Sequence, residues 1–379
     1  MKVLQVVPGI YQESSGPAYS VPATCTGLLH NGVDVELFAM NGMPAREFEY
    51  PVHIFEKKKF PIEAVGRSPG LLQALKQACK TADIIHTNSL WMFPNVYPDW
   101  ARKGTKCKLV IGPRGTVSPW AMNRSRLKKF LFGHLWQYRV LRNADMFVAS
   151  CEEEAKDIRR LGYRQPIAIV ANGIDIPDDG VSGRCARRRM YFLSRIHPKK
   201  NVELLIRCWA KLEDGFPEWD LSIVGPDENN AYADSMKKLV TDLGCKRVRF
   251  EGELKGLEKR KFVAASECLV LPTHSENFGM VVAEALALGT PAICSKGAPW
   301  QGLAENHCGW WVDANELSFA AAMREAMSTG RRELEDRGSR GREWMARDFS
   351  WDKIGADLKS AYVWLLNGGE KPDNVLISK

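Results

Sequence analysis

The chain contains no C-x-x-C pair: its ten cysteines stand scattered at positions 25, 79, 107, 151, 185, 208, 245, 268, 294 and 308. That spacing excludes a disulfide framework and a zinc knuckle, leaving most of these thiols to serve as small buried apolar groups. No stretch approaches the roughly 20 uninterrupted apolar residues of a membrane-spanning helix. The opening MKVLQVVPGI reads as a strand, not a signal peptide, and a cytoplasmic location is expected. No D-x-D run is present to hold a magnesium ion beside a diphosphate. Asp34-Val-Glu36, which looks nearest to one, begins a strand. Acid is scarce locally as well: residues 51–142 carry 17 Lys+Arg but 4 Asp+Glu, within a chain of net charge +8. Such a surface should face something anionic.

What is present is ordinary globular material: 379 residues, 45% hydrophobic and 26% charged. Disorder and fibrous repeats are excluded, and the length implies two cores. Strand and helix signals alternate. KVLQVVP, VDVELFAM, ADIIHTN, CKLVIGPRG, ADMFVAS and PIAIVANGID are apolar runs ended by Gly, Pro or Asn, most followed by helical patterns. After Asp175 the Pro/Gly/Asp-rich PDDGVSGRCARRR reads as a linker. A second series then runs RMYFLS, DLSIVG, RVRFEG, CLVLP, TPAICS and CGWWVD, with helical stretches between. The pattern predicts an α/β protein of two Rossmann-like, doubly wound parallel-sheet domains facing a deep interdomain cleft. The expected limits are 1–178, 187–350 and a C-terminal helix in 351–379 that packs back on the first domain.

Two segments carry chemistry. In HSENFGMVVAEALALGTPAIC, Glu276 and Glu284 are eight positions apart, with Glu276 in the loop before a helix expected to begin near Phe278. The amides from Asn277 to Met280 offer a seat for an anion or sugar hydroxyls. An ionisable Glu284 among Val281, Val282, Ala283, Ala285, Leu286 and Ala287 is costly unless it has a purpose. In FLSRIHPKKNVELL, Arg195 follows a strand while Lys199 and Lys200 precede a helix opened by Asn201. An arginine fork and a lysine point charge at such a junction suit the two phosphates of a diphosphate.

These segments, together with Gly16, HNGVDVELF, IVANGID, DLSIVGPDE, RVRFEGEL and FSWDKI, resemble over nearly the whole chain the family-4 retaining glycosyltransferases of GT-B fold. The resemblance implies a metal-independent, hexosyltransferase-type enzyme that needs no cofactor and takes a nucleotide diphosphate-sugar, of UDP or GDP type, as donor. It assigns the diphosphate to Arg195 and Lys200, the ribose to Glu284, and the transferred sugar to Glu276 with the backbone of Asn277, Phe278 and Gly279. The nucleobase border falls to Gly252, Glu253 and Leu254, and close approach of the N-terminal loop to Gly16. Relatives often place a histidine after the strand that here reads KLVIGPRGT. Arg114 stands in that region and His86 ends the preceding strand, so both are candidates for acceptor or sugar contact.

PRGTVSPWAMNRSRLKK and SKGAPWQGLAENHCGWWVD resemble a bacterial branch acting in surface polysaccharide and lipopolysaccharide assembly. The implied acceptor is a saccharide, lipid-linked in many relatives. Residues 114–143 interleave seven cations with Trp120, Phe130, Leu131, Phe132, Leu135, Trp136 and Tyr138. A basic helix of this kind suits an anionic membrane face; no nucleic-acid motif accompanies it. The competing readings are another GT-B enzyme, such as a sugar-nucleotide epimerase or a phosphorylase, and a non-catalytic sugar-nucleotide sensor.

Overall fold

The computed structural model describes residues 1–10, 16–40, 47–58, 65–177, 187–227 and 230–378. Most of the expected linker, 178–186, lies outside them, as does the loop just before Gly16. The chain divides into two compact units, residues 1–173 with 351–379, and residues 174–350.

Unit 1 is built on an eight-stranded sheet. Its strands are β1 (Lys2–Val7), β2 (Asp34–Met40), β3 (Val52–Phe55), β4 (Ile84–Asn88), β5 (Lys108–Gly112), β6 (Met146–Ala149) and β7 (Ile167–Ile169), with β14 (Val375–Leu376) at one edge. The order is β14-β7-β6-β5-β4-β1-β2-β3, parallel throughout except for β14 on β7. In β1, Leu4 and Val6 enter one core layer while Val3 and Val7 enter the other. Side chains alternate across the pleat, and burial of both faces explains why the strand is apolar apart from Lys2 at its start and the buried Gln5. The helix Trp351–Asn367 packs on the helix Gly16–His30 at paired glycines: a Cβ on Gly27 would lie 2.0 Å from the Trp351 carbonyl oxygen, and one on Gly355 2.2 Å from the Gly27 carbonyl.

Unit 2 is a wholly parallel six-stranded sheet of β8 (Arg188–Leu193), β9 (Trp219–Val224), β10 (Val248–Gly252), β11 (Cys268–Leu271), β12 (Ala292–Ser295) and β13 (Gly309–Val312). The order β10-β9-β8-β11-β12-β13 means that the chain builds outward from β8 in one direction, then returns to build outward from it in the other. Both sheets therefore show the doubly wound Rossmann-like pattern, with a switch point beside the first strand of each unit. Trp209, Trp219, Tyr191, Phe192 and Phe319 are wholly buried in the unit 2 core.

The basic segment is not one helix. It breaks into Pro119–Asn123, Arg126–Phe132, a π turn at Gly133–Gln137, and Tyr138–Arg142. The first break has a local cause: Arg124 is extended and Ser125 takes a left-handed conformation, φ 54°. Phe132 is buried, and Trp136 and Tyr138 pack on the core. Trp120, Phe130, Leu131 and Leu135 stand exposed together with Leu127, which the sequence reading had not singled out. No helix among the described residues is long and apolar enough to cross a membrane.

Candidate functional site

The unit 2 switch point lies between β8 and β11, where the loops leaving the two strands diverge. The loop after β8 passes through Arg195 to a single tight turn, Pro198–Lys200. Asn201 at φ 56° then redirects the chain into the helix Val202–Leu212. The loop after β11 is tied to it, since the Lys199 carbonyl accepts from the His274 amide at 2.9 Å and the Thr273 hydroxyl at 3.1 Å. The Glu276 amide in turn donates to the Gly297 carbonyl, after β12, at 2.7 Å. Three strand ends thereby fix one carboxylate.

Glu276 pairs with Lys200, the two side chains being 12% and 13% exposed. Lys199 is held below its usual ammonium range by burial first, with Lys200 and Arg195 adding to the lowering and Glu276 opposing it. Arg195 is exposed, and no ion pair of it is seen among the described residues. Three cations and one carboxylate thus share the mouth of the switch point, a site that can hold a polyanion and orient hydroxyl groups beside it.

The helix after this loop starts later than its sequence suggests, at Met280, because Gly279 caps it in a left-handed conformation, φ 83°. Phe278 is buried against Trp300 and Phe349, at ring distances of 5.1 and 5.9 Å, so only its backbone is available to a ligand. Asn277 and Met280 are half-buried on either side. Glu284 is half-buried on that helix and pairs with Lys259 at 2.9 Å, which relieves the cost expected of a lone carboxylate in an apolar helix. Sequence reading passed over Lys259, which sits in an unremarkable Lys/Arg-rich helix, Gly256–Ala264, with no local sign of its partner 25 residues away.

Gly252 ends β10 with φ 72° and its carbonyl accepts from Gly225; the exposed Glu253 pairs with Lys255 and Leu254 is half-buried. Gly225 is pressed against Ser194, where a Cβ would fall 1.9 Å from the carbonyl oxygen. In unit 1, Gly16 begins its helix, and among the described residues nothing lies within 4 Å of where its Cβ would be. His86 and Arg114 also lie in unit 1: His86 is the middle residue of β4, not the strand end expected from the sequence, and Arg114 follows the end of β5 by two residues. His86 is wholly buried on Tyr362, whereas Arg114 is half-buried and reaches Asn88 and Asn172. Among the described residues no group of three or more His, Cys, Asp or Glu is placed to hold a metal ion.

Two family models match in succession: "Glycosyltransferase Family 4" over residues 15–177 and "Glycosyl transferases group 1" over residues 186–344. The chain belongs to glycosyltransferase family 4. It is 24% identical to a D-inositol 3-phosphate glycosyltransferase of Corynebacterium glutamicum, with 92% of each chain covered. Among solved structures it resembles sucrose-phosphate synthase from Thermosynechococcus elongatus (TM-score 0.72, 18% identity, 97% of this chain and 100% of that one). It also resembles Anabaena HepE in complex with UDP and glucose (TM-score 0.71, 19% identity, 95% and 99%). A third likeness is to the lipopolysaccharide outer core galactosyltransferase WaaB (TM-score 0.68, 15% identity, 96% and 99%). The fold is GT-B, and this family member is a glycosyltransferase.

Proposed function

We propose that the protein transfers a hexose from a nucleotide diphosphate-sugar to a saccharide acceptor with retention of anomeric configuration and no metal ion. The observation that carries this reading is the convergence of Arg195, Lys199, Lys200 and Glu276 at the unit 2 switch point. The cations supply the positive charge a departing diphosphate needs. Arg195 and Lys200 take the diphosphate, Glu284 the ribose, and Gly252 to Leu254 border the base. Glu276 and the Asn277 to Met280 backbone hold the transferred sugar, while Gly16 leaves room for close approach of the N-terminal segment. UDP is the favoured nucleotide because HepE is seen with UDP and glucose. The acceptor hydroxyl bonds to the anomeric carbon as the bond to the diphosphate breaks, and its proton passes to a phosphate oxygen. No carboxylate nucleophile is then required, and positioning with charge stabilisation does the catalysis.

A thermal-shift and hydrolysis screen against UDP-, GDP-, ADP- and dTDP-sugars tests this. One nucleotide class should stabilise the protein by about 2–3 kcal/mol at 100 times its Kd, with or without EDTA. Stabilisation that EDTA removes would defeat the metal-independent reading, and none at all would favour a different activity.

We place unit 1 on the acceptor side, with Arg114 toward the saccharide, His86 behind it, and the acceptor lipid-linked in surface polysaccharide assembly. WaaB, named for the lipopolysaccharide outer core, supports that pathway. Residues 114–143 support an anionic membrane face, because Leu127, Leu131 and Leu135 are 72%, 53% and 64% exposed in a stretch without a single acidic residue. Replacing these three leucines by glutamate should lower pelleting with phosphatidylglycerol vesicles ~10-fold or more, since apolar insertion is lost and anionic repulsion gained. Equal pelleting of the triple variant would remove the membrane from the proposal.

A further inference from the structure

The polar groups at the unit 1 switch point form one directed chain, and its direction can be worked out. Arg114 donates from Nε and Nη2 to Asn88 Oδ1, at 3.1 and 3.0 Å, and from Nη1 to Asn172 Oδ1 at 2.7 Å. With its oxygen so engaged, Asn88 donates from Nδ2 to Gln5 Oε1 at 2.9 Å, and Gln5 Nε2 donates to the Tyr362 hydroxyl at 3.1 Å. That hydroxyl lies 2.6 Å from His86 Nδ1, and the assignment that continues the chain has it donate its one proton there. Burial, with Arg114 nearby, holds the imidazole well below its usual range, so it is neutral and its remaining proton sits on Nε2.

Nε2 is buried with no partner among the described residues. It lies beside Gly112, where an added Cβ would come 3.0 Å from Nε2 and 3.6 Å from Arg114 Nε. A side chain on Gly112 would crowd both groups; glycine keeps the space open.

Three of the five guanidinium N–H groups are accounted for, all on neutral amide oxygens. No carboxylate lies within ion-pair distance of Arg114 among the described residues. Glu154, whose charge it feels, already accepts from the Gly115 amide and from the amide and hydroxyl of Ser150. Arg114 is moreover held in a left-handed conformation, φ 54°, that a non-glycine residue adopts only under constraint. A half-buried, preoriented cation with no carboxylate in ion-pair contact is costly on its own, and the donors left over can be satisfied only by an acceptor.

We infer that Arg114 seats an anionic oxygen of the saccharide acceptor, so that the sugar unit 1 receives is acidic, bearing a carboxylate or a phosphate. This rests on the placement of the acceptor in unit 1. His86, Tyr362, Gln5 and Asn88 are positioning residues that fix the orientation of the guanidinium.

The test uses the full chain without nucleotide and measures binding of glucose, glucuronate and glucose 6-phosphate by calorimetry at constant ionic strength. At least one anion should bind ~10-fold or more tighter than glucose, as a charge-assisted bidentate contact allows. The better of the two tells carboxylate from phosphate. Arg114→Gln should erase the preference. Because that change can disturb the folded chain, Asn172→Asp provides the second variant. It leaves the hydrogen bond to Nη1 in place and supplies an internal carboxylate, and it should also erase the preference. Equal binding of charged and neutral sugars, absence of binding by both anions, or a preference that survives in both variants would overturn the inference. Nucleotide-sugar binding by the wild-type chain is scored separately, so failure of the transferase reading shows itself there and not in the anion measurement.

Discussion

Replacing Lys200 by alanine should reduce turnover by ~10²- to 10³-fold, about 2.7–4 kcal/mol of transition-state stabilisation, as removal of one preorganised charge-stabilising donor does elsewhere. The size of the effect follows from where the ammonium sits. It is 13% exposed, and its counter-charge Glu276 is fixed by a backbone bond to Gly297 after β12, so neither group is free to rearrange when charge develops on a leaving diphosphate. Its neighbours cannot substitute: Arg195 is solvated, and burial disfavours the charged form of Lys199. The alanine variant also leaves Glu276 half-buried without its cation, so a stability loss accompanies the rate loss. The double variant Lys200→Ala, Glu276→Gln removes that orphan charge and separates the two effects: stability should recover while turnover does not. Turnover within threefold of wild type in Lys200→Ala would remove the lysine from the reaction.

Most sheet strands were readable because they are buried on both faces and therefore written as apolar runs; the edge strand β10, with Arg249 and Glu251 exposed, alternates instead, and all six strands of unit 2 match runs marked in the sequence. Once their order along the chain is known, the doubly wound rule places the loops after β8 and β11 at one switch point, which is why Arg195, Lys200 and Glu276 could be named from local signals. Pairings across long separations were not readable. Lys200 and Glu276 are 76 positions apart, and His86 meets Tyr362 276 positions away, so nothing near His86 reveals that it is wholly buried. Short edge elements escaped for a different reason: β14 has two residues, too few to show a period, and β3, VHIF, has no fully buried residue to mark it. The basic segment between Pro119 and Arg142 reads as a single amphipathic helix by composition. Its interruption at Ser125 is a backbone choice that serine does not announce.

Trp300→Ala should cost unit 2 ~3–5 kcal/mol, the range for truncating a buried large aromatic, and should weaken sugar-nucleotide binding as well. Trp300 is 1% exposed and packs on Phe278, Trp344 and Phe349 at ring distances of 5.1, 5.7 and 5.6 Å. The packing has no slack nearby: a Cβ on Gly302 would fall 2.4 Å from the Trp344 ring, so the cavity left by alanine cannot close easily. The link to function runs through the indole N–H, which donates to the Phe278 carbonyl at 2.5 Å and so holds the turn between Glu276 and the left-handed Gly279. Trp300→Phe isolates that bond. It keeps most of the bulk and leaves a buried carbonyl without its donor, a loss of about 1–3 kcal/mol, and it should raise KM for the sugar nucleotide more than the same stability loss does when introduced at another wholly buried core position, Phe319→Leu. Denaturant unfolding gives the first quantity and steady-state kinetics the second. If Trp300→Phe and Phe319→Leu, matched in stability, share one KM, the indole serves the core alone and the loop is positioned by its other contacts, the Gly297 carbonyl and the Lys199 backbone.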